Sequence, residues 1–312
     1  MKVGVIGNGF VGNSIYHTFT PQFEVRVYDK NPARSTHTLE DVITHSDIVF
    51  MCLPTPMMKS GHNDLSYIMD SFEDINGVIS SEQIEPSKLT FVIKSTVVPS
   101  TTERLASKYK LGIVFSPEFL TERTAVTDSI CSNHAIVGGF PEDVNKVVAL
   151  YKERFGAGYN VLCTNSRTAE YIKYMRNAFF ATKVTFMNEM FRIGANAQVD
   201  WEAAVDGFSM DGRIGHSHLD VPGHDGMYGY GGTCFPKDVS AITQYAKNSG
   251  FDPILLEAIQ RANLKYRGVE DWKDKVGRAV SEDTNEADDI CHPDAIDGTD
   301  GACMECGSKD NL

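Results

Sequence analysis

Three glycines constrain the fold of this chain more than any other feature. In "VGVIGNGFVGNS", Gly7, Gly9 and Gly12 stand in G-x-G-x-x-G spacing, directly after an apolar β-branched run and at the opening of a helix-like segment. Gly7 permits a tight turn, Gly9 lets backbone approach a pyrophosphate, and Gly12 lets helix and strand pack closely. The helix N-terminus offers free N–H groups to phosphates. Asp29 closes the next strand-like run, "EVRVYD". An acid at that place bonds the ribose hydroxyls and disfavours a 2′-phosphate, so the pattern points to NAD over NADP; Lys30 and Arg34 beside it soften that preference. A glycine turn with no cofactor is the competing reading, and it leaves the strand, the helix and the acid without a common cause.

The first half alternates short apolar runs with helix-like segments, which is the pattern of a parallel sheet covered by helices. Strands are expected over 2–7, 24–29, 47–53, 89–95, 112–117, 134–139 and 159–164. From Thr168 to Ala195 the chain reads as one long helix, with Thr168 as its cap and Glu170 in its first turn. Further helices are expected over 201–209, 238–249 and 253–267. The fold class is α/β: an N-terminal Rossmann-type parallel sheet over 1–167, then a central all-helical dimerisation unit over 168–268. Residues 269–312 read as an acidic, disordered tail.

Charge supports that division. The net charge is −13, and residues 281–312 hold ten acidic residues against one basic residue, Lys309. The remainder is close to neutral and shows no basic face, so nucleic acid is not an expected partner. No apolar run is long enough to span a bilayer. The N-terminus does not resemble a signal peptide. Seven scattered cysteines fit reduced thiols and a cytoplasmic location better than a disulfide framework.

Chemistry concentrates in "YGYGGTCFPKD", residues 228–238, where one cysteine stands between a glycine run and Pro-Lys-Asp. Glycines bring backbone close to a ligand. A lysine and a carboxylate beside a thiol favour thiolate and manage protons. A tight turn around a buried thiol fits the same residues. Polar stretches also fall where strands end, "LPTP" (53–56), "KSTVVP" (94–99) and "SPEFLTE" (116–122), and ligands bind at such strand ends. Lys173 and Asn177 share one face of the long helix. Taken singly, Lys173 reads as a solvated lysine, Asp238 as a helix cap, Arg213 as half of an intrachain ion pair, and Cys52, Cys131 and Cys163 as packing thiols. Phe179, Phe180, Phe186 and Phe191 read as core or dimer interface.

In that order and spacing these motifs resemble the UDP-glucose/GDP-mannose dehydrogenase family, over residues 1 to about 267. The loop "VPGHDGMYGYGGTCFPKD" is most similar to that of its UDP-glucose-oxidising members. The resemblance implies a four-electron, NAD-dependent oxidation of the sugar C6 alcohol to the acid, through a thiohemiacetal and then a thioester on Cys234. It assigns oxyanion stabilisation to Lys173 and Asn177, proton transfer to Asp238, and placement of the hydrolytic water to Thr96 and Glu118. Cofactor contacts are expected at Gly7, Gly9, Val11, Gly12, Asp29, Arg34, Thr55, Thr96, Glu122 and Lys237. Contacts to the nucleotide sugar are expected at Glu118, Phe119, Leu120, Glu122, Lys173, Asn177, Gly223, Tyr228, Tyr230 and Gly231. Arg213 is expected to reach the sugar from a neighbouring subunit, which implies a homodimer.

The family continues into a third domain that closes over the nucleotide, and the acidic tail stands in its place. Two other readings therefore stay open: a different nucleotide sugar such as GDP-mannose, or a non-catalytic NAD-binding partner protein. The tail carries Cys303 and Cys306 in C-x-x-C spacing with Cys291 and His292. A single such pair is a weak metal signal, and no metal is expected.

Overall fold

The computed structural model describes residues 1–282. Seven strands form one sheet: β1 (Val3–Ile6), β2 (Val25–Tyr28), β3 (Ile48–Met51), β4 (Thr90–Ile93), β5 (Gly112–Phe115), β6 (His134–Gly138) and β7 (Asn160–Thr164). Their order is β2-β1-β3-β4-β5-β6-β7. All pairs are parallel except β5 with β6, which meet antiparallel through Phe115 and Gly138. The chain reverses direction of growth between β1 and β3, and ligands of such sheets bind outside the carboxyl ends of the strands at that switch point.

The central strands supply apolar side chains to both faces. Val49, Met51, Phe91, Ile93, Ile113 and Phe115 enter one core, while Ile48, Phe50, Val92 and Val114 enter the other. Continuous apolar runs of this kind suit a sheet covered on both sides. Helices α1 (Phe10–Phe19), α2 (Leu39–His45), α3 (Ser66–Ser81), α4 (Thr101–Tyr109), α5 (Ala125–Ile130) and α6 (Pro141–Phe155) follow the strands. Phe72 and Ile75 of α3 and Leu105 of α4 complete the first core; Ile15 and Phe19 of α1 and Val147 of α6 complete the second.

Four helices follow the sheet: α7 (Ser166–Asn196), α8 (Trp201–Ser209), α9 (Cys234–Asn248) and α10 (Ile254–Arg267). Three local expectations are corrected. The N-cap of α7 is Asn165, whose Oδ1 accepts from Thr168 N at 2.8 Å. Glu170 does not meet the first turn of its own helix. It is fully buried and caps α4 instead, accepting from Ser100 N at 2.7 Å, Thr102 N at 2.8 Å and Thr102 Oγ1 at 2.5 Å. The helix expected from 238 begins four residues earlier, at Cys234, so Asp238 lies inside α9 rather than capping it.

The tail does not begin at 269. Residues Asp271–Asp274 form a 3₁₀ turn, Trp272 is buried, and Ala279 is fully enclosed. Val280 makes a β-bridge with Met57. Cys291, His292, Cys303 and Cys306 lie outside the described residues.

Candidate active site

A cleft of about 650 Å³ runs along the carboxyl ends of the strands. At one end lie Gly7, Gly9, Val11, Asp29 and Arg34; Thr55 and Thr96 line its middle; Glu118, Cys234 and Lys237 line the other end, with Glu122 at the rim. The sheet explains this meeting. Loops after β1, β3, β4 and β5 open on the same edge, and α9 brings its first turn to them.

The glycine loop is built as its spacing requires. Gly7 has φ +89°, a left-handed value, and a Cβ there would lie 2.5 Å from the Cys52 carbonyl oxygen. A Cβ on Gly12 would overlap the Gly7 carbonyl oxygen. Space around Gly9 is open, leaving its backbone approachable. Asp29 is turned toward this loop: Asn8 N donates to its Oδ2 at 2.6 Å and Asn31 N to its Oδ1 at 2.8 Å.

At the other end, two buried lysine–carboxylate pairs flank Cys234. Lys173 Nζ donates to Glu118 Oε1 at 2.7 Å and to the Glu118 carbonyl at 2.8 Å, and Leu120 N donates to Glu118 Oε2 at 2.8 Å. Lys237 Nζ donates to Asp238 Oδ1 at 2.6 Å, and Asn177 Nδ2 to Asp238 Oδ2 at 2.6 Å. Lys173, Asn177 and Asp238 are 3%, 4% and 1% exposed, so these groups are fixed by their partners rather than by water. Burial alone would raise the Glu118 carboxyl, but the Lys173 ammonium outweighs it and holds Glu118 below its ordinary value. Burial pulls Lys237 down, and Asp238 more than reverses that, so its ammonium is favoured.

The thiol behaves differently from the expectation of a ready thiolate. Burial, with Asp238 adding to it, pushes Cys234 up to about 11 despite the opposing pull of Lys237. Cys234 and Asp238 are four residues apart on α9 and so share a face. The thiol is therefore held in its neutral form.

Lys94 was passed over in the sequence although its stretch was noted. It directly follows β4, is 7% exposed, lines the cleft and donates to the Pro117 carbonyl at 3.2 Å. Burial lowers its ammonium to about 8. Of the expected packing thiols, Cys52 lines the cleft and is pushed up to about 12 by burial, whereas Cys131 and Cys163 are exposed.

Residues 24–154 match the family model described as UDP-glucose/GDP-mannose dehydrogenase family, NAD binding domain, and residues 167–265 match the model of its central domain. The chain belongs to that family. UDP-glucose 6-dehydrogenase TuaD of Bacillus subtilis (strain 168) is 32% identical over 234 residues, covering 74% of this chain and 49% of that protein. The UDP-glucose 6-dehydrogenase of Pseudomonas aeruginosa is 33% identical over 264 residues, covering 80% and 56%. This chain thus spans about half the length of the curated relatives it matches. Among solved structures, a UDP-glucose dehydrogenase from the archaeon Pyrobaculum islandicum shares the fold with a TM-score of 0.74 at 24% identity, over 85% of this chain and 68% of that one.

NAD is the cofactor of this family's sheet domain, and the residues present fit it. Atoms added at Gly7 or Gly12 would collide with backbone, while the open side of Gly9 leaves room for a diphosphate at the start of α1. Asp29 lines the cleft where an adenosine ribose would lie in such a site.

Other expected sugar-contact residues lie elsewhere in the isolated chain. Tyr230 is 5% exposed and packs in a helical core with Ala181, Val239 and Ile259. Gly231 is required by packing, since a Cβ there would overlap the Arg267 guanidinium. Gly223 closes a turn with Met227, and Tyr228 packs on Phe191. Phe119 stacks on His134, with the Arg176 guanidinium 4.6 Å from its ring centroid. Arg213 is 89% exposed and paired with Asp211, away from the cleft of its own chain. Among the described residues, no helix is long and apolar enough to cross a membrane, and no cluster of three or more His, Cys, Asp or Glu is placed to hold a metal.

Proposed function

We propose that this chain is an NAD-dependent nucleotide-sugar 6-dehydrogenase that converts UDP-glucose to UDP-glucuronate. The observation that carries the reading is the position of Cys234, which opens α9 in the same cleft as the glycine loop, between two buried lysine–carboxylate pairs. The names of the curated relatives supply UDP-glucose as the substrate to test first.

Bound NAD supplies a hydride acceptor for each of two oxidations. Lys173, held against Glu118, places a positive charge where the C6 oxygen becomes negative; one such preorganised donor is worth about 3 kcal/mol. Asp238, oriented by Asn177 and Lys237, accepts the proton that the neutral Cys234 thiol must release when sulfur adds to the C6 aldehyde. The adduct is a thiohemiacetal, and its oxidation leaves a thioester on Cys234. Glu118, beside Thr96 in the cleft, holds the water that cleaves this thioester and frees the acid.

The chain works as a homodimer in this proposal. On α7, Tyr171, Met175, Phe179, Phe186, Met190 and Ile193 are 40–60% exposed and fall on one face. A second copy covering that face would also bring the exposed Arg213 toward a neighbouring cleft. A second reading, an NAD-binding partner of a longer enzyme, is favoured by the same exposed apolar face, which would equally receive a different chain.

Purified protein is to be incubated with NAD and UDP-glucose, and NADH measured against UDP-glucuronate. Two NADH per acid are expected, and Cys234→Ser should abolish steady acid release. NAD binding without oxidation of UDP-glucose, GDP-mannose or UDP-N-acetylmannosamine would replace this proposal with the partner reading. Undiminished acid formation by Cys234→Ser would remove the thioester route.

A further inference from the structure

Beside the reactive groups, on the side away from the glycine loop, stands a column of flat side chains. His134 stacks on Phe119 with ring centroids 5.7 Å apart. The Arg176 guanidinium lies 4.6 Å from the Phe119 centroid and 5.0 Å from that of Phe180. Phe180 stacks on His218 at 4.1 Å, and His218 meets Phe235 at 5.6 Å. Phe119 directly follows Glu118 and Phe235 directly follows Cys234, so the column joins the reactive groups at two points. Its six side chains stand outside the cofactor cleft.

Arg176 is the charge in the middle of the column. It is half-buried and, among the described residues, makes no ion pair or hydrogen bond. Burial works against its charge, and Glu118, the acid that opposes this, is already bound by Lys173 at 2.7 Å. Contacts with aromatic rings use the face of a guanidinium, which leaves the N–H donors around its edge to be filled. A second cation is also without a counter-charge: Lys183 Nζ donates to the Ile214 and Gly215 carbonyls, at 3.1 and 2.9 Å, and both acceptors are neutral. His218 Nδ1 is enclosed and has no hydrogen-bond partner among the described residues. Burial, then Lys183 and Arg176, hold its imidazole below the ordinary value, and Asp220, which opposes them, is exposed. The column thus has uncompensated positive charge and unfilled donors.

The path of a substrate leads there. NAD takes the cleft from the glycine loop toward Cys234. A sugar that presents C6 to Cys234 must then extend away from the cofactor, against the column. In a nucleotide sugar that far end carries a diphosphate, whose oxygens suit a guanidinium through bidentate, charge-assisted bonds. We propose that Arg176 binds the diphosphate of the nucleotide sugar, in a subsite shaped by Phe119 and Phe180 and extended by Lys183 and His218. This inference rests on the nucleotide-sugar reading of the site. It makes the diphosphate, common to UDP- and GDP-sugars, the feature that Arg176 recognises.

The test is calorimetric titration of the full chain with UDP, with uridine as a probe that lacks phosphate, and with NAD as a control. Arg176→Ala should weaken UDP about ten- to a hundredfold, the effect of losing a charge-assisted bond, and leave uridine and NAD unchanged. Arg176→Lys should recover part of the loss, because it keeps the charge and gives up the planar fork. Arg176→Gln, polar but uncharged, should recover none, and it repeats the test should the alanine variant not fold. Equal UDP affinity in wild type and both uncharged variants overturns the proposal. A matching loss for uridine or NAD overturns it as well, since the column would then serve only to hold the fold. A wild-type chain that binds NAD but neither UDP nor GDP overturns the nucleotide-sugar reading and this inference with it. A chain that binds UDP regardless of Arg176 overturns the inference alone, so the two failures are told apart.

Discussion

The two ends of the cleft hold charge in opposite ways. At the cofactor end, Asp29, Arg34, Glu122 and Arg278 sit on turns and loops at the rim, and their bonds run to backbone or to half-exposed partners. At the chemical end, Glu118, Lys173, Lys237 and Asp238 are at most 9% exposed, and each is locked to a side chain of opposite sign. A site that must exchange a whole dinucleotide every cycle benefits from loosely held charges. A site that must meet a developing charge benefits from dipoles that need no rearrangement at that moment. Burial is what separates the two halves.

Several substitutions can break or sharpen this contrast. The largest effect is expected at the buried end. Lys173→Met removes one partner of a buried pair and leaves the Glu118 carboxylate stranded, a change that typically destabilises by about 3–5 kcal/mol. It should also reduce kcat by about a hundred- to a thousandfold; denaturant unfolding and steady-state kinetics read the two effects. If Lys173→Met is as stable as wild type, the pair is not held as tightly as its distances indicate. At the rim, Asp29→Ala should weaken NAD by only about tenfold and leave the melting temperature in place, as calorimetry would show.

A smaller effect is expected in pH dependence. The Lys94 ammonium is lowered to about 8 from an ordinary 10.5. Between those values the unfolded chain binds more protons than the folded one, so this group makes stability rise with pH across that window. Cys234, raised from 9 to about 11, acts with the opposite sign as pH climbs from 9 to 11. The difference between wild type and Lys94→Met isolates the lysine, and wild type should gain stability relative to that variant from pH 8 to 10.5. A flat difference would mean that Lys94 is not desolvated. Least of all, Glu257→Gln at the exposed Lys247–Glu257 pair should move neither stability nor activity measurably, because solvated pairs of this kind contribute little.

The sheet was legible because its signals are local. The strands are short runs rich in β-branched residues, and Gly7 and Gly12 are required by atoms within a few residues or across one strand. The long helix was legible for the same reason. What escaped depends on distance along the chain. Glu170 looks like a first-turn acid but bonds Ser100 and Thr102, about seventy residues away. Lys94 reads as one polar residue in a strand-end stretch until burial gives it a role. Asp238 reads as a cap taken singly, but the helix opens four residues earlier and takes Cys234 into its first turn. The segment 269–282 carries the composition of a tail, and only its pairing with Met57 makes it part of the cleft.

Helix α7 is 31 residues long, about 45 Å at 1.5 Å per residue. Glu170, Lys173 and Asn177 occupy two successive turns on its inward side, and the apolar residues from Tyr171 to Ile193 lie on the side turned away. Buried polar groups and outward apolar face are therefore written on one rod in two independent alphabets. Substitutions at the outward positions would leave every inward bond in register. A single-residue deletion between Glu170 and Asn177 would do the reverse, rotating one group by about 100° out of the site. The outward face of α7 is free to vary where its inward face is not.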